Sequence, residues 1–378
     1  MMKEISFYKP TVTERESELI KEVLYGQDPN SIIDKFEEAL KKYFDAKHVI
    51  TTNNSAAAHH LALSAMHIKR GDKILCSVNA FPSVAQAIRH FDAEPIFVDI
   101  NEDDFNINPD ALEKILKEQN HKKLKCAFVT HIAGQSAQMD EIKEIGERYD
   151  VQILDDANRA IGFTYNGKKV GSKDSFLSCF QTNSQVQNPI STAGFFTTND
   201  DEIAKSAKLL RNYALVNGID KYGNLSYIYD VVDIGLKYDI NALNAAFSLA
   251  QLEKNDGFIK RQREIAAIYD KELAGYPQIA TPVKKRDHIY SQYIIKVNKN
   301  RDGFARELLE RGIHTSLHYI PIHLLSYYKN KYALKVNDFP TALKVYQQVL
   351  SLPIYDGLKD EDVYYICETI KEILKNRA

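Results

Sequence analysis

From residue 31 to residue 200 the chain alternates short apolar runs with amphipathic stretches, and this alternation limits the fold more than any other feature. SIIDKFEEALKKY (31–43) sets Ile32, Phe36, Ala39 and Tyr43 on one helical face. The strand-like run HVITTNN follows, then a small-residue helix, SAAAHHLALSAM. The strand ILCSVNAF leads to a helix over 84–91, PIFVDI to a helix over 109–117, and CAFVTHI to a helix over 139–148, before the strand VQILDDA. Strands parted by helices predict an α/β fold with a mostly parallel, helix-covered sheet. FLSCF and GFFTTN read as an antiparallel addition. Ligands in such sheets gather beyond the carboxyl ends of the strands, so the residues following each strand are the first candidates.

A second, smaller pattern occupies the rest. A long helical stretch begins at 241–254 and reaches past Tyr269, followed by strand-like YSQYIIKV and HTSLHYI and by helices near 302–311 and 360–375. With 378 residues the chain suits two domains: a large one over 1–255 that includes the N-terminal segment, and a small α+β one over 256–378, the boundary falling within 250–265.

Lys+Arg total 49 against 51 Asp+Glu, so no basic field points to nucleic acid as a partner. Cys76, Cys126, Cys179 and Cys367 lie in apolar runs without CxxC spacing and read as buried thiols in a reducing compartment. No signal core or bilayer-length apolar stretch is present, so the chain reads as cytoplasmic, with no membrane partner. GxGxxG, GxxxxGK[ST] and HExxH are all missing. His59 and His60 are adjacent on a helix and face apart, and His314, His318 and His323 are spread around Tyr-Ile-Pro-Ile, so no metal is expected.

Three places could carry chemistry. Asp155 and Asp156 end the strand VQILDDA, so at least one should reach the ligand crevice, where a buried carboxylate needs a cationic or proton-donating partner. A pyridinium nitrogen is such a partner; capping the next turn is the alternative. Asn54-Ser55-Ala56-Ala57 opens a helix after a strand, presenting free N–H groups that suit a phosphate or merely an ordinary cap. Phe81, just past the next strand, could stack on an aromatic ligand or pack in the core.

Across nearly the whole length, seven ordered segments resemble the DegT-type sugar-nucleotide aminotransferases, which are fold-type-I enzymes dependent on pyridoxal phosphate (PLP). NSAAAHHLALSAMHIKRGDKIL resembles SGTAALHLAL…GDEVI, AFPSVAQAIRHFDAEPIFVDI resembles TFVATANAI…PVFVDI, and HIAGQSAQMDEI resembles HLYGQPADMDPI. DDANRAIGFTYNGKKVGS resembles EDAAQALGATYKGRKVGS, and GLKYDINALNAAFSLAQL resembles GYNYRMTDIQAALGLAQL. YIPIHLLSYYK and LSLPIYDGLKDEDV match the closing motifs, the first bringing His318 and His323 in as candidates for substrate binding. The resemblance implies that Asp156 pairs with the pyridine nitrogen, Phe81 lies against the ring, and the Ser55 and Ala56 amides hold the phosphate, with Gln181 and Arg159 also at the cofactor. It further implies a homodimer with shared sites. The reaction would move an amino group from glutamate to a keto-sugar nucleotide through pyridoxamine phosphate (PMP), in polysaccharide or glycan sugar synthesis.

The departures gather at the cofactor. No lysine lies between Lys173 and Lys205. CFSFHPVKNITTGEGG aligns on CFQTNSQVQNPISTAG with Val186 at the lysine position, and a slip in register offers only Ser184, Gln185 or Gln187. The glutamine after DAA becomes Arg159, the acid of GEGG becomes Thr192, and Lys237 and Asp239 replace an asparagine and an arginine. A positioned proton carrier is worth about 10²–10⁴ in rate, so losing the lysine bears directly on catalysis. Lys237, reaching a neighbouring subunit's site, or His60 are the candidate substitutes. Three readings follow: an aminotransferase with an unorthodox base, a PMP-dependent sugar dehydratase or lyase, and a non-catalytic homologue that binds a sugar nucleotide.

Overall fold

A computed structural model describes residues 3–26, 28–118, 123–182, 190–217 and 228–377. In chain order, α1 (Glu14–Tyr25) and α2 (Ser31–Phe44) lead into β1 (His48–Thr52), α3 (Ser55–Ala65), β2 (Lys73–Ser77) and α4 (Ser83–His90). Next come β3 (Glu94–Val98), α5 (Pro109–Glu118), β4 (Leu124–Thr130), α6 (Met139–Tyr149) and β5 (Gln152–Asp156). A hairpin of β6 (Thr164–Tyr165) and β7 (Lys168–Lys169) precedes β8 (Leu177–Gln181), β9 (Gly194–Thr198) and α7 (Asp201–Leu210). The ribbon β10 (Leu215–Asn217) and β11 (Tyr229–Val231) leads to α8 (Ala242–Glu272). The remainder holds β12 (Ile279–Ala280), β13 (Tyr293–Val297), α9 (Arg301–Glu310), α10 (Ser326–Lys331), α11 (Pro340–Gln348), β14 (Val349–Leu352) and α12 (Asp360–Lys375).

The expected helices fall within a residue or two of where the periodicity puts them, but β2 ends at Ser77 rather than Phe81, β13 begins at Tyr293 rather than Tyr290, and α1, α7, α10 and α11 were not anticipated. The main sheet has the order β1-β9-β8-β5-β4-β2-β3. β3, β2, β4, β5 and β8 are mutually parallel, while β9 runs antiparallel to both β8 and β1. Only GFFTTN is therefore an antiparallel insertion; FLSCF pairs parallel, Leu154 to Leu177 and Asp156 to Cys179. The 157–176 connection contains its own hairpin and is long enough to return the chain for parallel pairing.

A three-stranded antiparallel sheet, β12-β13-β14, forms the small unit. HTSLHYI adds no strand to it: Ser316 makes a lone bridge to Ser351. Pro321 has no N–H for a ladder, and the Tyr319 amide donates to Asn79 Oδ1 at 3.3 Å instead. The small unit has its own core around Tyr269, Tyr293, Phe304, Ile366 and Ile370. Two features cross the expected division at 255. α8 passes through it unbroken, and Ile5 joins the small core, bridging Ile313.

Candidate functional site

β1, β4, β5 and β8 end on one side of the sheet, and the residues following them line a cavity of about 170 Å³. Its wall includes Ser55, Ala56, Phe81, Asp156, Arg159 and Gln181, six residues that the sequence nominates from four separate segments.

The adjacent carboxylates divide between the two faces of the sheet, as a period of two requires. Asp156 pairs in register with Thr130, whose hydroxyl donates to its Oδ2 at 2.9 Å, and it faces the cavity. Asp155 takes the other face. Ser178 Oγ donates to its Oδ2 at 2.6 Å and His131 Nε2 lies 3.2 Å from its Oδ1. Because His131 Nδ1 accepts from the Ala137 amide at 3.1 Å, the ring proton sits on Nε2 and is given to Asp155. Asp155 is thus held by structure away from the cavity, while Asp156 lines it.

Asp156 is buried, and its second oxygen meets a side chain that sequence reasoning overlooked. His59 Nε2 approaches Oδ1 at 3.2 Å. Burial pushes the Asp156 carboxyl up, but the hydrogen bond and charge of His59, with the Thr130 hydroxyl, outweigh it and hold the group below the ordinary carboxylate range. The signal was available, since the family motif quoted above has leucine where His59 stands. The same burial, followed by the charges of Asp156 and Asp155, drives the Cys179 thiol far up, so it stays protonated. All four cysteines are free and buried.

α3 begins in the wall of the same cavity. Asn54 caps it, its Oδ1 accepting from the Ala57 amide at 2.9 Å. The first N–H groups of a helix have no partner within it, which leaves those of Ser55 and Ala56 at the cavity wall. Gly194 on β9 lets the strand pass hard against this turn: a Cβ there would lie 2.4 Å from Asn54 O and 2.6 Å from Ser55 N. Ser55 Oγ lies 3.5 Å from Gln181 Oε1. Phe81 is 53 % exposed, edge-on to Tyr319 at 6.1 Å, so it guards the mouth rather than filling the core.

Other nominated residues lie elsewhere. His60 stacks on Phe91 at 4.5 Å and is held down to about 4 by burial and then His90; it is not in the cavity wall. Lys237 Nζ is tied to Asp239 at 2.9 Å and Asn212 at 3.1 Å, on an exposed surface outside the cavity of its own chain. His314, His318 and His323 go to three separate partners. His314 meets Glu4 at 3.1 Å, His318 Nδ1 meets Ser351 Oγ at 2.8 Å, and His323 Nε2 donates to Val336 O at 3.1 Å. Burial and then the Arg159 charge hold His318 well below its ordinary value. His318 thus stands near the cavity, whereas His323 is buried against Phe339. Ser184, Gln185, Val186 and Gln187 fall outside the described residues. Several wall residues were not nominated, among them Thr130, His131, Asn158, Tyr319 and Gln292, the last fully buried.

A mostly parallel, helix-covered sheet with this cavity at its strand ends and a small α+β unit behind it is the architecture of fold-type-I PLP-dependent transferases. Residues 10–371 match the DegT/DnrJ/EryC1/StrS aminotransferase family, and the chain belongs to that family of sugar aminotransferases. It is 33 % identical over 350 residues to an uncharacterized protein of Methanocaldococcus jannaschii, covering 90 % of this chain and 89 % of that one. It is 32 % identical over 354 residues to the spore coat polysaccharide biosynthesis protein SpsC of Bacillus subtilis, covering 91 % and 90 %. Among solved structures, S. venezuelae DesV in complex with a ketimine intermediate superimposes with a TM-score of 0.86 at 26 % identity over 96 % of this chain and 95 % of that one. Helicobacter pylori PseC, an aminotransferase of pseudoaminic acid biosynthesis, shares the fold with a TM-score of 0.89 at 24 % identity over 99 % and 100 %.

Proposed function

We propose that the chain binds pyridoxamine or pyridoxal phosphate by contacts alone and acts as an aminotransferase on a keto-sugar nucleotide, with glutamate as amino donor, in polysaccharide or glycan sugar synthesis. One observation carries this: a buried carboxylate, held ionised, lines the same cavity as the open N-terminus of α3. The residues fit such a cofactor. Asp156 can accept from a protonated ring nitrogen, and the Ser55 and Ala56 amides suit a phosphate, helped by the helix dipole. Phe81 offers an uncovered aromatic face at the mouth, and Arg159 and Gln181 add polar groups to the wall. When bound, the ring serves as an electron sink. Asp156 contributes by keeping the ring-nitrogen proton in place, and Thr130 and His59 keep Asp156 ionised and oriented.

Among the described residues lining the cavity there is no lysine. A covalent tether is therefore not part of the proposal, and the proton carrier must come from another group. A homodimer supplies one candidate. Tyr229, Val231, Val232 and Ile234 are large apolar residues left exposed on and after β11, the kind of surface a second copy covers. Lys237 follows them and would face the partner's cavity. Four free, buried thiols suit a cytoplasmic setting.

The stretch between Lys173 and Lys205 supports a second reading, a sugar dehydratase or a non-catalytic sugar-nucleotide binder. One experiment separates these. The full chain is titrated with PMP and with PLP, reduced with borohydride and mapped by peptide mass spectrometry, and the PMP-loaded protein is mixed with 2-oxoglutarate. Saturable PMP binding, no lysine adduct and glutamate formation support an aminotransferase without a tether. PMP binding without glutamate leaves the dehydratase, and no binding of either form refutes the cofactor assignment.

A further inference from the structure

Gln292 stands just ahead of β13, on the small unit, yet its side chain lines the cavity built by the large one. It is fully buried, and among the described residues neither its amide nitrogen nor its amide oxygen has a hydrogen-bond partner. Several neighbouring buried polar groups are satisfied, although Asn158 Oδ1 in the same wall and His59 Nδ1 also lack a partner among the described residues. Asn79 donates to Phe105 O and accepts from Tyr319 N, His131 serves Asp155 and Ala137, and Asp156 is served by Thr130 and His59. A buried amide left without its bonds destabilises a fold, and an apolar side chain of similar size would avoid that cost.

The mount is rigid. The Ile289 amide donates to Gly134 O at 3.0 Å and the Tyr290 amide to His288 Nδ1 at 2.9 Å. A Cβ on Gly134, whose φ is +82°, would come within 2.4 Å of Ile289 Cγ1, so the two segments pass in direct contact. The 288–292 segment is thereby fastened to the turn after β4, and Gln292 is held at the wall.

The two orphaned atoms select the ligand chemistry. The nitrogen needs an acceptor and the oxygen needs a donor. A carboxylate, phosphate or keto oxygen would satisfy the nitrogen alone and set an acceptor against the amide oxygen. An ammonium group would satisfy the oxygen alone. Hydroxyl groups do both. We propose that Gln292 is a specificity-determining residue through which the small unit reads hydroxyls on the sugar ring of the substrate, an inference that rests on the sugar-nucleotide reading above. The ring hydroxyl of the cofactor has the same chemistry, and the test separates the two sources.

The test compares full-length wild type with Gln292→Leu. Melting temperature is measured without ligand, PMP affinity by calorimetry, and then the affinities of PMP-loaded protein for UDP-, GDP- and dTDP-glucose against UDP, GDP and dTDP alone. The expected result is a melting temperature equal to or above that of the wild type and PMP affinity within twofold. The tightening that the hexose adds to the nucleotide should fall by about 10–100-fold. A melting temperature several degrees lower would make Gln292 a structural residue and overturn the proposal. A tenfold loss of PMP affinity would assign the amide to the cofactor, with the same consequence. So would a hexose increment that is unchanged in the variant, or one missing from the wild type with all three nucleotides. If the wild type ignores PMP, the cofactor reading fails, while the hexose comparison is still read on the unloaded protein.

Discussion

Replacing Asp156 by asparagine removes one negative charge and almost no volume. Thr130 can still donate to the retained oxygen, as it now does at 2.9 Å. The new amide nitrogen would oppose His59 Nε2, which lies 3.2 Å from Oδ1, unless the imidazole moves its proton to Nδ1. Nδ1 has no partner among the described residues, so that tautomer gives up no existing bond. The fold should therefore tolerate the change. Cofactor affinity should not, because a hydrogen bond to a charged group contributes about 1.5–3 kcal/mol, or roughly 10–150-fold in Kd. Calorimetric titration of both proteins with PMP measures this, with thermal melting as the control for folding. A variant that melts like the wild type and binds PMP equally well would refute the assignment of Asp156 to the ring nitrogen.

Gly194→Ala forces a methyl to within 2.4 Å of Asn54 O, so it should cost about 1–3 kcal/mol in a urea unfolding series and weaken PMP binding, by moving the start of α3. His288, buried and pushed down to about 3 from 6.5 mainly by burial, is neutral in the folded chain, where its Nδ1 accepts from Tyr290 N. The unfolded chain takes up the proton first, so this group's stabilisation is complete above pH 6.5 and is lost as pH falls toward 3, by about 1.4 kcal/mol per pH unit. His288→Asn, whose Oδ1 replaces the acceptor, should flatten that part of the pH–stability curve; an unchanged slope would assign the loss to other groups. Ile234 is 89 % exposed, and Ile234→Lys should shift a two-chain species toward one chain in sedimentation velocity. A wild type that sediments as a single chain at all concentrations would contradict the proposed homodimer.

Much of the architecture was legible because its cause is local. A 3.6-residue repeat of apolar side chains makes α2 a surface helix whatever it packs on, and short apolar runs, ILC in β2, CAFV in β4 and IL in β5, mark buried strands. Strand direction was less legible. FLSCF and GFFTTN look alike as sequence, yet β8 is parallel to β5 while β9 is antiparallel to both β8 and β1, which depends on how the connections return. HTSLHYI resembles a strand and forms only a lone bridge, Ser316 to Ser351, because the His314 amide turns to Ile5 O and the Tyr319 amide to Asn79 Oδ1 instead of extending the ladder.

The sequence by itself determined the strand–helix alternation over 31–200 and the family. It also determined that Asp156, the start of α3 and Phe81 lie at or just beyond strand ends, since each adjoins a neighbouring run. The residues by themselves left Asp155 and Asp156 open and only the resemblance favoured Asp156; the register of β5 against β4 and β8 is what turns it to the cavity. Tertiary structure alone brought His59 to Asp156 across 97 residues, and placed Gln292, in an unremarkable strand-like run, at a cavity made by another part of the chain. Periodicity acts over a few residues and is written in their order. A contact between distant segments exists only once packing has closed the loop between them, so no short stretch of sequence can specify it.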